Sequence, residues 1–362
     1  MNSPLQNRTI LVTGGTGSFA RHFIRKVFSE GHRPRKLIVF SRDEWKQWEM
    51  RRSDPLFDHS SIRYFLGDVR DSDRLKRAFR QVDLVVHAAA MKQVPASEYN
   101  PTEAIKTNIH GAINVIDAAI DRGVRKVVAL STDKAANPVN LYGATKLCSD
   151  KLFVSGNAYV GSSGIPRFSV VRYGNVLGSR GSIVPRWQQI VAEGARSLTV
   201  TDRRMTRFWI TLDQAADFVI QTFDRMLGGE IFVPKIPSMK IVDLARAIAP
   251  DLAIHFTGIR PGEKLHELMI GEDDARHSLE FESYYAIAPE LVFTVNQASY
   301  ERLAEGGGKP LPEGFKYSSD SNSRWLDAEG LRELLREPSA AQGGHLTSSG
   351  QVEEASAGYS PI

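Results

Sequence analysis

Short apolar runs alternate with longer amphipathic stretches through the first half of the chain. The runs are Thr9–Val12, Lys36–Phe40, Ile62–Leu66, Leu84–His87, Lys126–Leu130 and Arg167–Arg172. Each spans only four to six residues and is bounded by glycine or polar residues, a pattern that predicts buried strands. Helices are predicted from the glycine-rich stretch after Val12 to about Ser29, from Pro101 to about Arg122, and onward from about Leu141. This alternation predicts an α/β fold with a Rossmann-type, doubly wound parallel sheet. Right-handed crossovers would set the carboxyl end of every strand on one rim. Past residue 180 the alternation loosens. Ile183–Glu193 and Leu212–Leu227 read as helices, Leu198–Val200 and Ile231–Val233 as strands, and Asp327–Leu335 as a last helix. Residues 1–180 are therefore expected to form the Rossmann domain, with some later segments returning to it. Residues 181–337 would form mainly a smaller C-terminal lobe. Residues 338–362, rich in Ala, Gly, Ser and Gln with no apolar period, read as a disordered tail.

Composition narrows the class. Of 362 residues, 42% are hydrophobic and 24% charged, with a net charge of +4. These values are ordinary for a soluble globular protein. No basic run interleaved with aromatics points to nucleic acid. Apolar runs such as Leu84–Ala90 are far too short to span a bilayer, so no membrane partner is expected. The lone cysteine, Cys148, forms no internal disulfide, and the polar amino terminus lacks a signal-peptide core. Both fit a cytoplasmic protein. No residues are assigned to a metal.

The strand ends carry the chemistry. After the first strand come Thr13, Gly14, Gly17, Ser18 and Phe19, leading straight into a helix. Glycines there permit a tight turn and close backbone approach to a pyrophosphate, and the helix start adds N–H donors. The spacing is Gly-x-x-Gly-x-x-Ala, with Ala20 in the third position. After the second strand stand Ser41 and Arg42, which suit a ribose 2′-phosphate and so NADP; the alternative is Asp43 on a 2′-hydroxyl. Asp68 can accept from an adenine amino group with Val69 beside the ring; the alternative for such an aspartate is a helix cap, a role that suits Asp71 better. Ala88, Ala89 and Ala90 let a dinucleotide lie against the backbone, and Lys92 follows on the same loop. All of these positions would face one crevice.

The stretch from Val127 to Lys151 holds Thr132, Asp133, Lys134, Tyr142 and Lys146. Tyr142 and Lys146 are one helical turn apart and share a face. A cation beside a tyrosine stabilises the phenolate, and a tyrosine so tuned can take a proton from an alcohol as hydride leaves the same carbon. Lys146 is expected to be that cation. In the second lobe the polar positions are basic, including Arg180, Arg186, Arg203, Arg204, Arg207, Arg260 and Lys264. Residues 260–264, Arg-Pro-Gly-Glu-Lys, read as a turn opening another helix, suited to a diphosphate.

The segments 13–19 (TGGTGSF), 40–44 (FSRDE), 87–95 (HAAAMKQVP), 131–146 (STDKAANPVNLYGATK), 172–182 (RYGNVLGSRGS), 260–264 (RPGEK) and 317–322 (YSSDSN) resemble those of the extended short-chain dehydrogenase/reductases that act on nucleotide sugars. Within that family the chain is similar to the inverting UDP-N-acetylglucosamine 4,6-dehydratases of pseudaminic acid synthesis. The resemblance runs from about Arg8 to Leu335. Ala20 replaces the usual third glycine, and Gln93 stands where many relatives have histidine.

The resemblance implies an NADP-dependent hydro-lyase and a homo-oligomer acting on a UDP-sugar. Tyr142 and Thr132 would act at the C4 oxygen, with Asp133 and Lys134 as the acid/base pair for loss of water across C5 and C6. Lys134 as the C5 base would have to be partly neutral, which burial is expected to achieve. Asn175, Arg207, Arg260 and Glu263 would contact the diphosphate or sugar. The rival readings are a UDP-sugar 4-epimerase, a C5-retaining dehydratase and a non-enzymatic NADP-sensing scaffold.

Overall fold

The structure is a computed structural model and describes residues 3–292 and 298–336. The expected tail, 338–362, lies outside the described residues. All six early runs are strands: β1 (Thr9–Thr13), β2 (Lys36–Ser41), β3 (Ile62–Leu66), β4 (Leu84–His87), β5 (Lys126–Thr132) and β6 (Arg167–Tyr173). They pair in parallel in the order β3-β2-β1-β4-β5-β6. The order reverses direction between β1 and β4, the switch point at which open α/β sheets hold ligands. β1 is buried at every position, as a strand covered by helices on both faces must be.

Beyond β6 the sheet continues with strand Ile231–Pro234, which runs parallel to β6. Strands Tyr284–Ile287, Ser278–Glu280 and Lys309–Pro310 then add antiparallel pairs, giving a ten-stranded sheet among the described residues. A second apolar cluster, including Trp187, Leu198, Trp209 and Leu244, packs apart from the main core.

Seven helices cover the first half: α1 (Ser18–Ser29), α2 (Glu44–Ser53), α3 (Ser72–Ala78), α4 (Val94–Tyr99), α5 (Pro101–Ile105), α6 (Gly111–Arg122) and α7 (Leu141–Ser155). The single long helix expected from Pro101 to Arg122 is divided: a π-helical turn at Lys106–His110 separates α5 from α6. Asn108 sits in that turn and is buried, with its side chain turned to loop backbone rather than solvent. Among the described residues no helix is long and apolar enough to cross a membrane.

Candidate active site

At the switch point the β1 and β4 ends are tied together by one side chain. The Thr13 hydroxyl oxygen accepts from the N–H groups of Ala88 (3.1 Å) and Ala89 (3.2 Å). It lies 2.8 Å from Nδ1 of His87. His87 stays neutral, because burial, assisted by Lys146, pushes its pKa down to about 3. Nδ1 is then free to accept the Thr13 proton. Gly14, at φ +64°, lies against this loop, and a Cβ there would stand 2.9 Å from the Ala89 backbone. Only glycine combines that conformation with that closeness. Gly17 precedes α1 without a side-chain cap, which leaves the first N–H groups of the helix without side-chain acceptors. The Ser18 hydroxyl accepts the N–H of Arg180 at 3.0 Å, joining this loop to the segment after β6.

Along the rim, Ser41 is buried and its hydroxyl accepts from Gln47 Nε2 at 3.0 Å. Asp43 caps α2 by accepting the N–H of Lys46, so the alternative ribose partner is already committed to a helix. Arg42 is 66% exposed, with Asp68 3.8 Å away. Asp68 is bound by the guanidinium of Arg70 at 2.8 and 3.0 Å. Burial pushes its carboxyl up, but the Arg70 hydrogen bonds outweigh that and hold it low. Val69 is buried beside Gly111, and its carbonyl accepts from Asn114. Lys92 reaches across to donate to the carbonyl of Arg180 at 3.2 Å.

The loop after β5 and the start of α7 bring the central residues together. Asn140 caps α7, its Oδ1 accepting the N–H of Gly143 at 2.8 Å. Thr132 donates to Asp133 Oδ1 at 2.9 Å and hydrogen bonds to Tyr142. Burial pushes the Tyr142 phenol up to about 12, against the pull of Lys134 and of Thr132. Lys134 thus also acts on the phenol. Lys146 is buried, and burial pushes its pKa down against the opposing charge of Asp150.

The expected neutrality of Lys134 is corrected. Its Nζ lies 3.0 Å from Asp133, 3.2 Å from Glu267 and 3.5 Å from the Asn175 side-chain oxygen. Burial does favour the neutral amine, but the two carboxylates overcome it, so the pKa is raised and the group is a full ammonium. Asp133 is pushed the other way: its complete burial and the Glu267 charge raise it toward the neutral acid. Among the described residues its Oδ2 has no hydrogen-bond partner, nor has Oε2 of Glu267.

The basic second-lobe segment docks here but is not a helix start. The turn at residues 260–264 leads into strand Leu268–Ile270, because Lys264, Leu265 and Glu267 are held by other chain segments. Asn140 Nδ2 donates to the Gly262 carbonyl at 2.8 Å, and Lys264 Nζ to that of Ala136 at 2.6 Å. Arg207 is buried, and its guanidinium donates to the carbonyls of Thr206, Lys264 and Leu265. It supports the turn from behind. Arg260, 66% exposed, pairs with Glu263 at 2.9 Å. Arg203 stacks on Phe256 and Arg204 pairs with Asp202, both at the surface.

Sequence reasoning missed Glu267, Asn108, Asn140 and Gly143. Asn140 carries a readable signal, an Asn directly before the first residue of a helix, which is a cap pattern. Glu267 has no local signal, because only tertiary packing brings it to Lys134.

Residues 10–289 match the family described as polysaccharide biosynthesis protein. A UDP-N-acetylglucosamine 4,6-dehydratase (inverting) of Campylobacter jejuni subsp. jejuni is 56% identical over 330 residues, covering 91% of this chain and 97% of its own. A UDP-glucose 4-epimerase of Rickettsia typhi is 38% identical over 335 residues, covering 91% and 95%. The crystal structure of Pen from Bacillus thuringiensis superposes with a TM-score of 0.81 at 36% identity, covering 91% of this chain and 98% of its own. The parallel sheet, the glycine turn at its switch point and the Tyr142/Lys146 helix face define an extended short-chain dehydrogenase/reductase. Within that class the chain belongs to the polysaccharide biosynthesis protein family.

Proposed function

We propose that this chain is a UDP-N-acetylglucosamine 4,6-dehydratase that inverts C5 and uses NADP. Its product would be UDP-2-acetamido-2,6-dideoxy-β-L-arabino-hex-4-ulose. The observation that carries this reading is the buried Asp133–Lys134–Glu267 cluster in contact with Thr132 and Tyr142. A 4-epimerase, which only returns hydride to C4, has no step for such a cluster. The name of the 56% identical relative supports the same reaction.

The crevice fits a nicotinamide dinucleotide, since Gly14 has no room for a Cβ and the α1 amino terminus lacks a side-chain cap. Thr13, Gly14, Gly17, Ser18 and Phe19 would hold the pyrophosphate, and Asp68 and Val69 the adenine. Ala88, Ala89, Ala90, Tyr142 and Lys146 would border the nicotinamide end. When bound, the cofactor supplies the removal of hydride from C4 and its return at C6. Exposed Arg42, with Asp43 committed to a cap, supports a 2′-phosphate and hence NADP. Arg42→Ala is expected to lower the NADP-over-NAD affinity ratio by about 10-fold or more, the worth of a charge-assisted hydrogen bond of ~1.5–3 kcal/mol. Titration calorimetry with both dinucleotides measures the ratio, and an unmoved ratio removes Arg42 from cofactor choice.

Tyr142, whose phenol burial pushes up, must first lose its own proton, a loss that Lys134 and Thr132 favour; the phenolate then takes the C4 hydroxyl proton while Thr132 holds that oxygen. Lys134 must shed a proton before it can act as a base. Asp133 Oδ1, 3.0 Å away and raised toward the acid form, receives it. That leaves an amine to take the C5 proton and a carboxylic acid to protonate the departing C6 oxygen as water. Lys92, Asn175, Arg260 and Glu263 would orient the diphosphate and sugar.

Incubation with UDP-N-acetylglucosamine in D₂O should give a 4-keto-6-deoxy sugar deuterated at C5 and of inverted configuration, read by proton NMR. Recovery of UDP-N-acetylgalactosamine alone would establish an epimerase, and a retained C5 configuration would overturn inversion.

A further inference from the structure

The 133–134 pair has a third member that no sequence motif marked. Glu267 lies just before strand Leu268–Ile270, at 1% exposure. Its backbone is clamped at both ends: the N–H donates to Ser319 Oγ at 2.8 Å, and the carbonyl accepts the Ser319 N–H at 2.8 Å. The carboxylate is thereby aimed at the loop after β5. One oxygen stands 3.2 Å from Lys134 Nζ and 3.5 Å from Arg207 Nε; the other is 3.9 Å from Lys264 Nζ and lacks a hydrogen-bond partner.

We propose that Glu267 is a positioning residue of the acid/base centre, fixing the Lys134 amine and governing when it holds its proton. The inference rests on the dehydratase reading for the step it affects. Three cations, Lys134, Arg207 and Lys264, surround Glu267, so it remains ionised although burial opposes this. A buried carboxylate that stays ionised is a poor proton acceptor but a strong anchor for an ammonium. Asp133, on the other side of Lys134, has no such surround and is the carboxyl able to take a proton. The two carboxylates thus divide the work: Asp133 exchanges a proton with Lys134, and Glu267 holds Lys134 in place and resists early loss of its charge. The other groups facing this centre are Thr132, Tyr142, Asn175 and, through Arg207, Glu263.

Removing the Glu267 charge removes an interaction that favours the ammonium, so Lys134 becomes neutral at lower pH. In Glu267→Gln, the limb of the kcat profile that reports loss of the proton shared by the Asp133–Lys134 pair should move acidward by about one unit or more. kcat for dehydration at the optimum should fall with KM nearly unchanged, while substrate-dependent reduction of the nicotinamide persists. Glu267→Asp, which keeps the charge, should leave the limb near its wild-type position even if kcat falls. A limb that stays in place in Glu267→Gln, or moves equally in both variants, would overturn the proposal. If the wild type itself fails to dehydrate UDP-N-acetylglucosamine, the functional reading fails first, and the two failures are distinguished by that control.

Discussion

Replacing Lys134 with methionine should abolish dehydration, by about 10²–10⁴-fold, the usual worth of a positioned acid or base. Substrate-dependent reduction of the nicotinamide should be slowed but not lost, because Tyr142 and Thr132 remain while a cation that favours the phenolate is gone. Methionine keeps much of the lysine stem, so the expected loss is of charge and proton chemistry rather than volume. The cost is electrostatic. Lys134 is the cation that lies within 3.2 Å of both Asp133 and Glu267. Without it, two buried carboxylates face one another, and removing one partner of a buried ion pair costs roughly 3–5 kcal/mol. Asp133, already raised, would take up a proton and relieve part of this. The variant should therefore be less stable at neutral pH than at mildly acidic pH, where that proton is supplied. Stopped-flow absorbance, product NMR and thermal unfolding at two pH values measure the three effects. Full turnover would remove Lys134 from the mechanism.

The sheet was legible because its signal is local. Each of the six early strands is a short apolar run, and every one appears within a residue or two of its expected bounds. The rim residues followed from the sheet, since parallel strands put Thr13, Arg42, Asp68, Ala88 and Thr132 at ends that point the same way. Charge states were not legible in this way. Burial was expected to neutralise Lys134, yet the sign depends on how many carboxylates tertiary packing supplies, and Glu267 is 133 positions away along the chain. At Lys146, spacing fixes the helix face shared with Tyr142, whereas its charge depends on burial, which opposes the ammonium, and on Asp150 one turn on, which favours it. Residues 260–264 contain proline and glycine, a turn signal that leaves the next element undefined; the continuation as a strand is set by pairing with Tyr317–Ser318. The π-turn at Asn108 likewise depends on a buried amide meeting Met91 and Thr145.

Gly143→Ala should be among the most damaging single-methyl changes in the protein. A Cβ at this position would collide with the Lys134 carbonyl oxygen and stand 3.0 Å from Pro138 Cβ. Neither neighbour is the free end of a flexible side chain, so backbone must move. Gly143 directly follows Tyr142, and the obstructing carbonyl belongs to Lys134, so relief of the clash moves Tyr142 away from the cation that acts on its phenol. The cap offers little slack: Asn140 accepts the Gly143 N–H and also holds Gly262 of the second lobe. Overpacking of this kind costs roughly 1–3 kcal/mol. The functional loss should be larger than the stability loss, because a displacement of ~1 Å in a reacting group can cost about 10²-fold in rate. Unlike Lys134→Met, this variant should lose both nicotinamide reduction and dehydration, since Tyr142 is displaced together with its partner. Cys148→Ala, at an exposed position on the same helix, serves as the control and should behave as wild type. Thermal unfolding and single-turnover absorbance measure the two losses. Wild-type rates in Gly143→Ala would mean that α7 can shift without disturbing Tyr142, against the rigid seating of this helix start on the loop after β5.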